Sequence, residues 1–312
     1  MTQKLKVGVV GIGHLGKEHA RIYSQLAECE LTGISDLDPA KEDKARELKT
    51  AFCHDYRDLL DKVQAVSIAT PTSTHYQVAK EFLKAGIHVL VEKPITLKLE
   101  EADELIELSQ KNHCALQVGH LERHNPGFKR VQEIAKNIRF LEIHRLGPFT
   151  GRINDCGVVL DLMIHDLDIV LGLVGSEIAS FDALGVNVLT PFEDIANVRL
   201  KFKNGAIANI TASRLTFEKQ RKIRIFQEDA YISLDYGAQT GRIIRKVGDQ
   251  ISQEDVLIEK AEPLKEEIRF FLGGIASGKS IGKPDTAARN ALALAIKIVK
   301  VIQENQPKPA TK

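Results

Sequence analysis

The chain lacks an excess of charge of either sign: 43 Lys and Arg residues stand against 42 Asp and Glu residues, a formal net charge of +1. A nucleic-acid partner needs a basic footprint or stripe, so this balance argues against one. There is no run of about 18 apolar residues, so no membrane span is expected. Residues 1–6 lead straight into a strand-like segment, and no signal peptide is expected there. Cysteine is scarce and scattered: Cys29, Cys53, Cys114 and Cys156 form no CxxC pair. That spacing suits neither a structural metal site nor a disulfide framework, and predicts reduced thiols packed in a cytoplasmic protein. Repeats and low-complexity blocks are also missing. What is present, 312 residues at 43% hydrophobic content, is enough for a substantial core and, by length, for two domains.

Over the first 120 residues, short apolar strands (6–10, 31–35, 65–69, 88–91, 115–118) alternate with helical segments (14–28, from Pro39, 76–85 closed by Gly86, 99–112). This alternation predicts an α/β domain over residues 1–120, a doubly wound parallel Rossmann sheet covered on both faces. From residue 121 the pattern changes to strands at 139–146, 180–189, 196–203, 206–214, 222–226, 230–234 and 242–246. Asn204-Gly205 signals a two-residue hairpin. An apolar helix is expected at 158–173 and a last helix at about 287–303, packing back towards the Rossmann domain, with a frayed tail after it. Residues 121–312 therefore read as an α+β domain on an open, mainly antiparallel sheet. Ile, Val and Ala on its outer face would leave an apolar patch, which predicts a homodimer or homotetramer through that sheet.

Gly11-Ile12-Gly13-His14-Leu15-Gly16 completes a GxGxxG between the first strand and its helix. The glycines serve a tight turn, close approach of a pyrophosphate, and helix–strand packing. N–H groups at the helix start then face the phosphates. Asp36 lies 20 positions beyond Gly16, at the end of the second strand, where a carboxylate accepts hydrogen bonds from a ribose and repels a 2′-phosphate. NAD is therefore favoured over NADP, although Lys41 or Lys44 could assist a phosphate. Ligands of such sheets bind beyond the carboxyl ends of the strands. Those ends are Ala69-Thr70-Pro71-Thr72-Ser73-Thr74-His75, Glu92-Lys93-Pro94 and Gly119-His120-Leu121-Glu122-Arg123. Lys93 at a strand end points into the crevice; the competing reading is a surface salt bridge with Glu92. His75 reads equally as a cofactor contact or a helix-start residue packing locally.

The glycine motif, the 69–75 loop, Glu92-Lys93-Pro94 and Asp161-Leu162-Met163-Ile164-His165-Asp166-Leu167-Asp168 together resemble the glucose–fructose oxidoreductase / inositol dehydrogenase (Gfo/Idh/MocA) family, over nearly the whole chain. The resemblance implies cofactor contacts from Gly11, Ile12, Gly13, His14, Leu15, Gly16, Asp36, Ala69, Thr70, Pro71, Thr72, His75, Glu92 and Lys93. It also implies that Lys93 and His165 face the nicotinamide and a sugar hydroxyl, with Asp161 nearby as the third catalytic residue. Asp161 and His165 are four apart, a spacing that shares a helix face. His120, Arg123 and Asn125 are candidates for substrate binding, Arg123 and Asn125 for a nucleotide-sugar phosphate or a hydroxyl; structural salt bridging is the competing reading for the last two. One departure stands out: residues 155–157 read Asp-Cys-Gly where many family members carry a glycine triplet. The segment from Gly119 to Pro126 is similar to members that oxidise UDP-N-acetylglucosamine at C3 for a lipid A diamino sugar.

These features predict an NAD-dependent dehydrogenase that converts a secondary hydroxyl of a sugar or nucleotide sugar to a ketone. The alcohol proton must leave with the hydride, so a base is required within hydrogen-bond reach, and Lys93 or His165 could supply it. Other readings are a dehydrogenase of a free sugar or inositol, a lyase or hydrolase-like enzyme using transient oxidation, and a non-catalytic NAD sensor. No metal is expected.

Overall fold

The computed structural model describes residues 4–151 and 156–305. The chain divides into two compact units. One holds the chain up to Leu121 together with Leu264–Arg289, and the other holds Glu122–Pro263 and the chain from Asn290 onward. Asp155 and the tail beyond 305 lie outside the described residues.

The first unit begins with β1 (Leu5–Val10), α1 (Gly16–Gln25), β2 (Cys29–Ser35), α2 (Glu42–Leu48) and β3 (Ala51–Cys53). It continues with β4 (Ala65–Ile68), α3 (Thr72–Lys84), β5 (His88–Glu92), α4 (Leu99–Lys111) and β6 (Leu116–Gly119). The six strands are parallel in the order β3-β2-β1-β4-β5-β6. Their apolar runs follow from burial on both faces: every residue of β4 is buried, and Val7 and Val9 of β1 are fully so. Strand order reverses between β1 and β4, which opens a crevice at their carboxyl ends, where the chain carries Gly11 and Ala69. The helix expected from Pro39 is present as a single 3-10 turn, Pro39–Lys41, that runs into α2, while the 3-residue β3 escaped the sequence pattern.

The second unit contains α5 (Pro126–Ile134), β7 (Ile138–Leu146), α6 (Ile164–Val174), β8 (Ile178–Val186), β9 (Ile195–Phe202) and β10 (Ile207–Ser213). After these come β11 (Gln220–Gln227), β12 (Ala230–Asp235), β13 (Thr240–Val247) and β14 (Gln250–Val256). They form one eight-stranded sheet, β14-β13-β12-β11-β7-β10-β9-β8, antiparallel except for the central β7–β10 pair. The expected hairpin at Asn204-Gly205 exists, but its loop has three residues. Phe202 and Ala206 close it, and Gly205 sits at φ 87°, a conformation glycine adopts without Cβ strain.

The expected apolar outer face is corrected by the structure. Val198, Leu200, Ile210, Ile223, Ile225 and Ile232 all point inward and are fully buried. The alternating residues carry a half-exposed polar ladder instead, with ion pairs Glu142–Arg224, Lys222–Asp235 and Lys201–Asp182. Its apolar part is an aromatic group, Phe140–Phe226–Tyr231, and Leu184 and Val186 on the edge strand β8. The period-2 alternation fixes which residues share a face but not which face is inward, and hydrophobic burial decides the latter.

Helix α7 (Pro263–Ala276), unforeseen in the sequence, returns to the first unit from Leu264 on. Its Ile268, Phe271, Leu272 and Ile275 join Val7, Val9, Ala20 and Tyr23 in one core cluster. The last helix, α8 (Thr286–Asn305), starts in the first unit, where Arg289 makes a bidentate ion pair with Asp103 of α4 at 2.8 and 2.9 Å. Further along, in the second unit, Ile302 lies where a Cβ on Gly185 would come within 2.6 Å.

Candidate active site

The glycine turn has the geometry that its spacing demands. Gly11 sits at φ 85°, and a Cβ there would stand 2.8 Å from the Ala69 carbonyl. A Cβ on Gly16 would fall 1.7 Å from the Gly11 oxygen, so only glycine lets α1 start against the strand. Around Gly13 there is nothing within 4 Å of an added Cβ. The two flanking glycines are thus required by packing, while the middle one keeps space open on the crevice side. Asp36 accepts the Ile12 N–H at 2.6 Å on Oδ2 and the Asp38 N–H at 2.9 Å on Oδ1, which fixes its carboxylate beside the turn. An open glycine backbone at a helix start, flanked by an oriented carboxylate, fits a dinucleotide. His14 is exposed, Leu15 and Thr72 are half-buried, and Ala69 and Thr70 line the neighbouring strand end with exposed Pro71.

Lys93 and Pro94 follow β5 directly. Glu92 does not pair with Lys93 across the surface: it is only 5% exposed, and Oε1 accepts from His19 Nε2 at 2.9 Å. Burial acts to raise the Glu92 carboxyl, but the His19 hydrogen bond holds it below its ordinary value. His75 is buried as well, with Nδ1 2.9 Å from the Pro94 oxygen and Nε2 2.9 Å from the Thr70 oxygen. It ties the 69–75 loop to the Lys93-Pro94 turn. The sequence carries a local signal that His19 is buried, though none that names its partner. It lies with Gly16, Ala20 and Tyr23 on the buried face of α1, where a histidine needs partners.

Burial pushes both His75 and His88 below the ordinary imidazole value. His88 Nδ1 also accepts the Ala115 N–H at 3.1 Å, a bond that protonation removes. The unfolded chain takes up these protons first, so the stability present above the unfolded value, about 6.5, is lost as the pH falls below it. Thermal unfolding of the cofactor-free chain is expected to give a lower Tm at pH 5.5 than at pH 7.5. His88→Gln, which retains an acceptor, should flatten that slope; an unchanged Tm across this range in the parent chain counts against the assignment.

In the second unit a single π-turn, Val159–Met163, precedes α6 and contains Asp161, with His165 on the first turn of the α-helix proper. Such turns displace side chains from the regular helical face and recur at functional sites. Asp161 is half-buried and His165 is 8% exposed. Two neighbours on the same helix are used for anchoring. Asp168 takes a bidentate ion pair from Arg123, with Nε at 2.6 Å. Asp166, fully buried, takes Arg145 Nε and Nη2 at 2.8 and 2.9 Å, and Arg145 Nη1 reaches Glu122 at 3.0 Å. Burial raises the Asp166 carboxyl above its ordinary value against the pull of Arg145. Asn125 is occupied with structure: Oδ1 caps α5 through the Gly127 N–H at 3.0 Å, and Nδ2 donates to the Tyr236 carbonyl at 3.1 Å. His120 is buried directly after β6.

Residues 5–120 match an oxidoreductase family with an NAD-binding Rossmann fold, and residues 144–233 match the GFO/IDH/MocA C-terminal domain. The chain belongs to the Gfo/Idh/MocA oxidoreductase family. It is an NAD-binding oxidoreductase acting on CH–OH groups. Over 302 residues, 94% of this chain and 96% of the relative, it is 38% identical to the UDP-N-acetylglucosamine 3-dehydrogenase of Acidithiobacillus ferrooxidans. A solved structure of that enzyme superposes with a TM-score of 0.91 at 37% identity, covering 97% of this chain and 99% of that one. The myo-inositol 2-dehydrogenase of Thermotoga maritima is 28% identical over 329 residues, 97% of each chain. Among the described residues no helix is long and apolar enough to cross a membrane, and no cluster of potential metal ligands occurs.

Proposed function

We propose that this member of the family oxidises the C3 hydroxyl of UDP-N-acetylglucosamine, or of a closely similar nucleotide sugar, to a keto sugar. The near full-length similarity to a UDP-N-acetylglucosamine 3-dehydrogenase carries this reading. NAD, when bound, supplies the hydride acceptor. Lys93, His165 and Asp161 are the proposed catalytic residues. Lys93 and His165 share the removal of the hydroxyl proton, and Asp161 orients the hydroxyl or His165. Gly11–Gly16 and Asp36 are the proposed cofactor contacts, with Ala69, Thr70, Pro71, Thr72 and His75 forming the adjoining wall. Glu92 and Asn125 are not carried forward as ligand contacts: the Glu92 carboxylate is buried and held through Oε1 by His19, and both polar atoms of the Asn125 side chain are hydrogen-bonded within the protein. Arg123 is proposed to steady the catalytic helix through Asp168. His120 remains a proposed substrate contact.

The proposed domain boundary is residue 121, and the proposed compartment is the cytoplasm. The product would enter a lipid A diamino-sugar route, where an aminotransferase consumes the ketone. A homo-oligomer through the open face of the eight-stranded sheet is proposed on its half-exposed ladder and aromatic group.

The test is NADH absorbance on mixing the purified chain and NAD with UDP-N-acetylglucosamine, free sugars or inositols, with a 2-oxoglutarate-dependent aminotransferase as trap. NADH with the UDP-sugar alone is expected. NADH with inositol or a free sugar alone overturns the substrate assignment, and tight NAD binding without net NADH points to transient oxidation. Sedimentation of the same preparation as a monomer at micromolar concentration removes the proposed assembly.

A further inference from the structure

Beneath the Lys93 turn lies a chain of buried side chains with no part in the chemistry above. Tyr23 Oη is 2.8 Å from Ser67 Oγ, Ser67 Oγ is 3.1 Å from His19 Nδ1, and His19 Nε2 is 2.9 Å from Glu92 Oε1. All four residues are 5% exposed or less. They come from α1, from β4 at the strand-order reversal, and from β5, which ends at Glu92.

The donors and acceptors fix the direction of the chain. An ionised carboxylate only accepts, so His19 Nε2 carries a proton. Nδ1 then accepts from Ser67, and Ser67 accepts from Tyr23. In this order every proton has an acceptor. The reverse order leaves the Tyr23 hydroxyl proton with none in the chain. The assignment is made from the network, as hydrogen positions in histidines always are.

The chain ends on a negative charge one residue before Lys93. Glu92 Oε2 has no hydrogen-bond partner among the described residues. Gly119 packs against the carboxylate so closely that a Cβ there would stand 2.8 Å from Oε2. A buried carboxylate oxygen without a hydrogen bond is destabilising, and a glutamine of the same shape would accept from His19 equally well without the charge. The hydrogen bond from His19 by itself therefore gives no reason for the charge. Its position beside Lys93 does.

We propose that Glu92 and His19 are positioning residues for Lys93, with the His19 N–H orienting the Glu92 carboxylate and the carboxylate setting the charge environment of the lysine. This rests on the role proposed for Lys93. Because α1 begins at Gly16 and carries His19 one turn later, the same helix that starts at the glycine turn also holds the lysine's neighbour in place.

The test compares Glu92→Gln, His19→Ala and His19→Gln with Lys93→Met, reading kcat, sugar KM, NAD affinity by calorimetry and Tm. Glu92→Gln is expected to lower kcat by about 10- to 100-fold, with KM and NAD affinity within about threefold. His19→Gln, which can still donate to Glu92, should recover much of what His19→Ala loses. If His19→Ala does not fold, Glu92→Gln and His19→Gln decide the question.

A folded Glu92→Gln with kcat within twofold overturns the proposal. So does a loss of NAD affinity as large as the loss of kcat, which would make Glu92 a cofactor contact. Near-normal turnover in Lys93→Met overturns the role of Lys93 itself, whereas an inactive Lys93→Met beside a fully active Glu92→Gln overturns only the positioning.

Discussion

Replacing Lys93 by methionine is expected to lower kcat by about 10²- to 10⁴-fold while leaving NAD affinity within a few-fold. That range is what a positioned proton-transfer group contributes. Methionine keeps the length and apolar stem of lysine, so the Lys93-Pro94 turn retains its packing and its tie from His75 to the Pro94 oxygen. Single-turnover kinetics with saturating NAD and UDP-N-acetylglucosamine give the chemical step directly, and calorimetry gives the cofactor affinity. His165→Ala in the same assay shows how the burden is divided. A large loss in both variants means that they act as one unit, whose effects are not additive. Turnover near normal in both would remove the proposed mechanism.

The largest loss of stability is expected from Arg145→Met. Arg145 is 4% exposed and lies against Asp166 and Glu122, themselves 0% and 3% exposed. Without it, two carboxylates stay buried, and the remaining cation, Arg221, stands 3.7 Å from Glu122. Breaking one side of a buried ion pair costs about 3–5 kcal/mol, well above the value of an exposed pair. Urea denaturation at pH 7 should show that loss as a lower midpoint. Adding Asp166→Leu and Glu122→Gln should restore most of it, since removing the charges together also removes their desolvation cost. If Arg145→Met alone shifts the midpoint by less than an equivalent of about 1 kcal/mol, the cluster is not the anchor its geometry implies. Asp166 follows His165 on α6, so a loosened cluster should also lower kcat through the helix that presents His165.

The glycine turn and Asp36 were legible because each requirement is local: a positive φ, a close backbone approach, or a carboxylate at a strand end. Five of the six parallel strands were legible in outline because burial makes them largely apolar, whereas β3 is only three residues long and partly exposed. What escaped depended on partners far along the chain. His19 meets Glu92 73 positions away, and Arg123 meets Asp168 45 positions away, so neither pairing shows in a local pattern. Asn125, a candidate for a phosphate or a hydroxyl, precedes Pro126 at the start of α5, and its Oδ1 is used there to cap that helix through the Gly127 N–H. Strand β14 was missed for a different reason: it is largely exposed and polar, so it has no apolar alternation to detect. In α7, Gly273-Gly274 weakens the local helical signal, while Ile268, Phe271 and Leu272 are held by the core they enter.

That late return of α7 has a consequence for synthesis. A nascent chain that has just released Leu121 from the ribosome carries all six parallel strands, yet lacks the Ile268, Phe271, Leu272 and Ile275 side chains that complete their core. At bacterial or eukaryotic elongation speeds, the more than 140 residues still to come before Leu264 take roughly 7 to 30 seconds to appear. Throughout that interval the apolar surface around Val7, Ala20 and Tyr23 must be shielded by a chaperone or by transient contacts of the chain with itself.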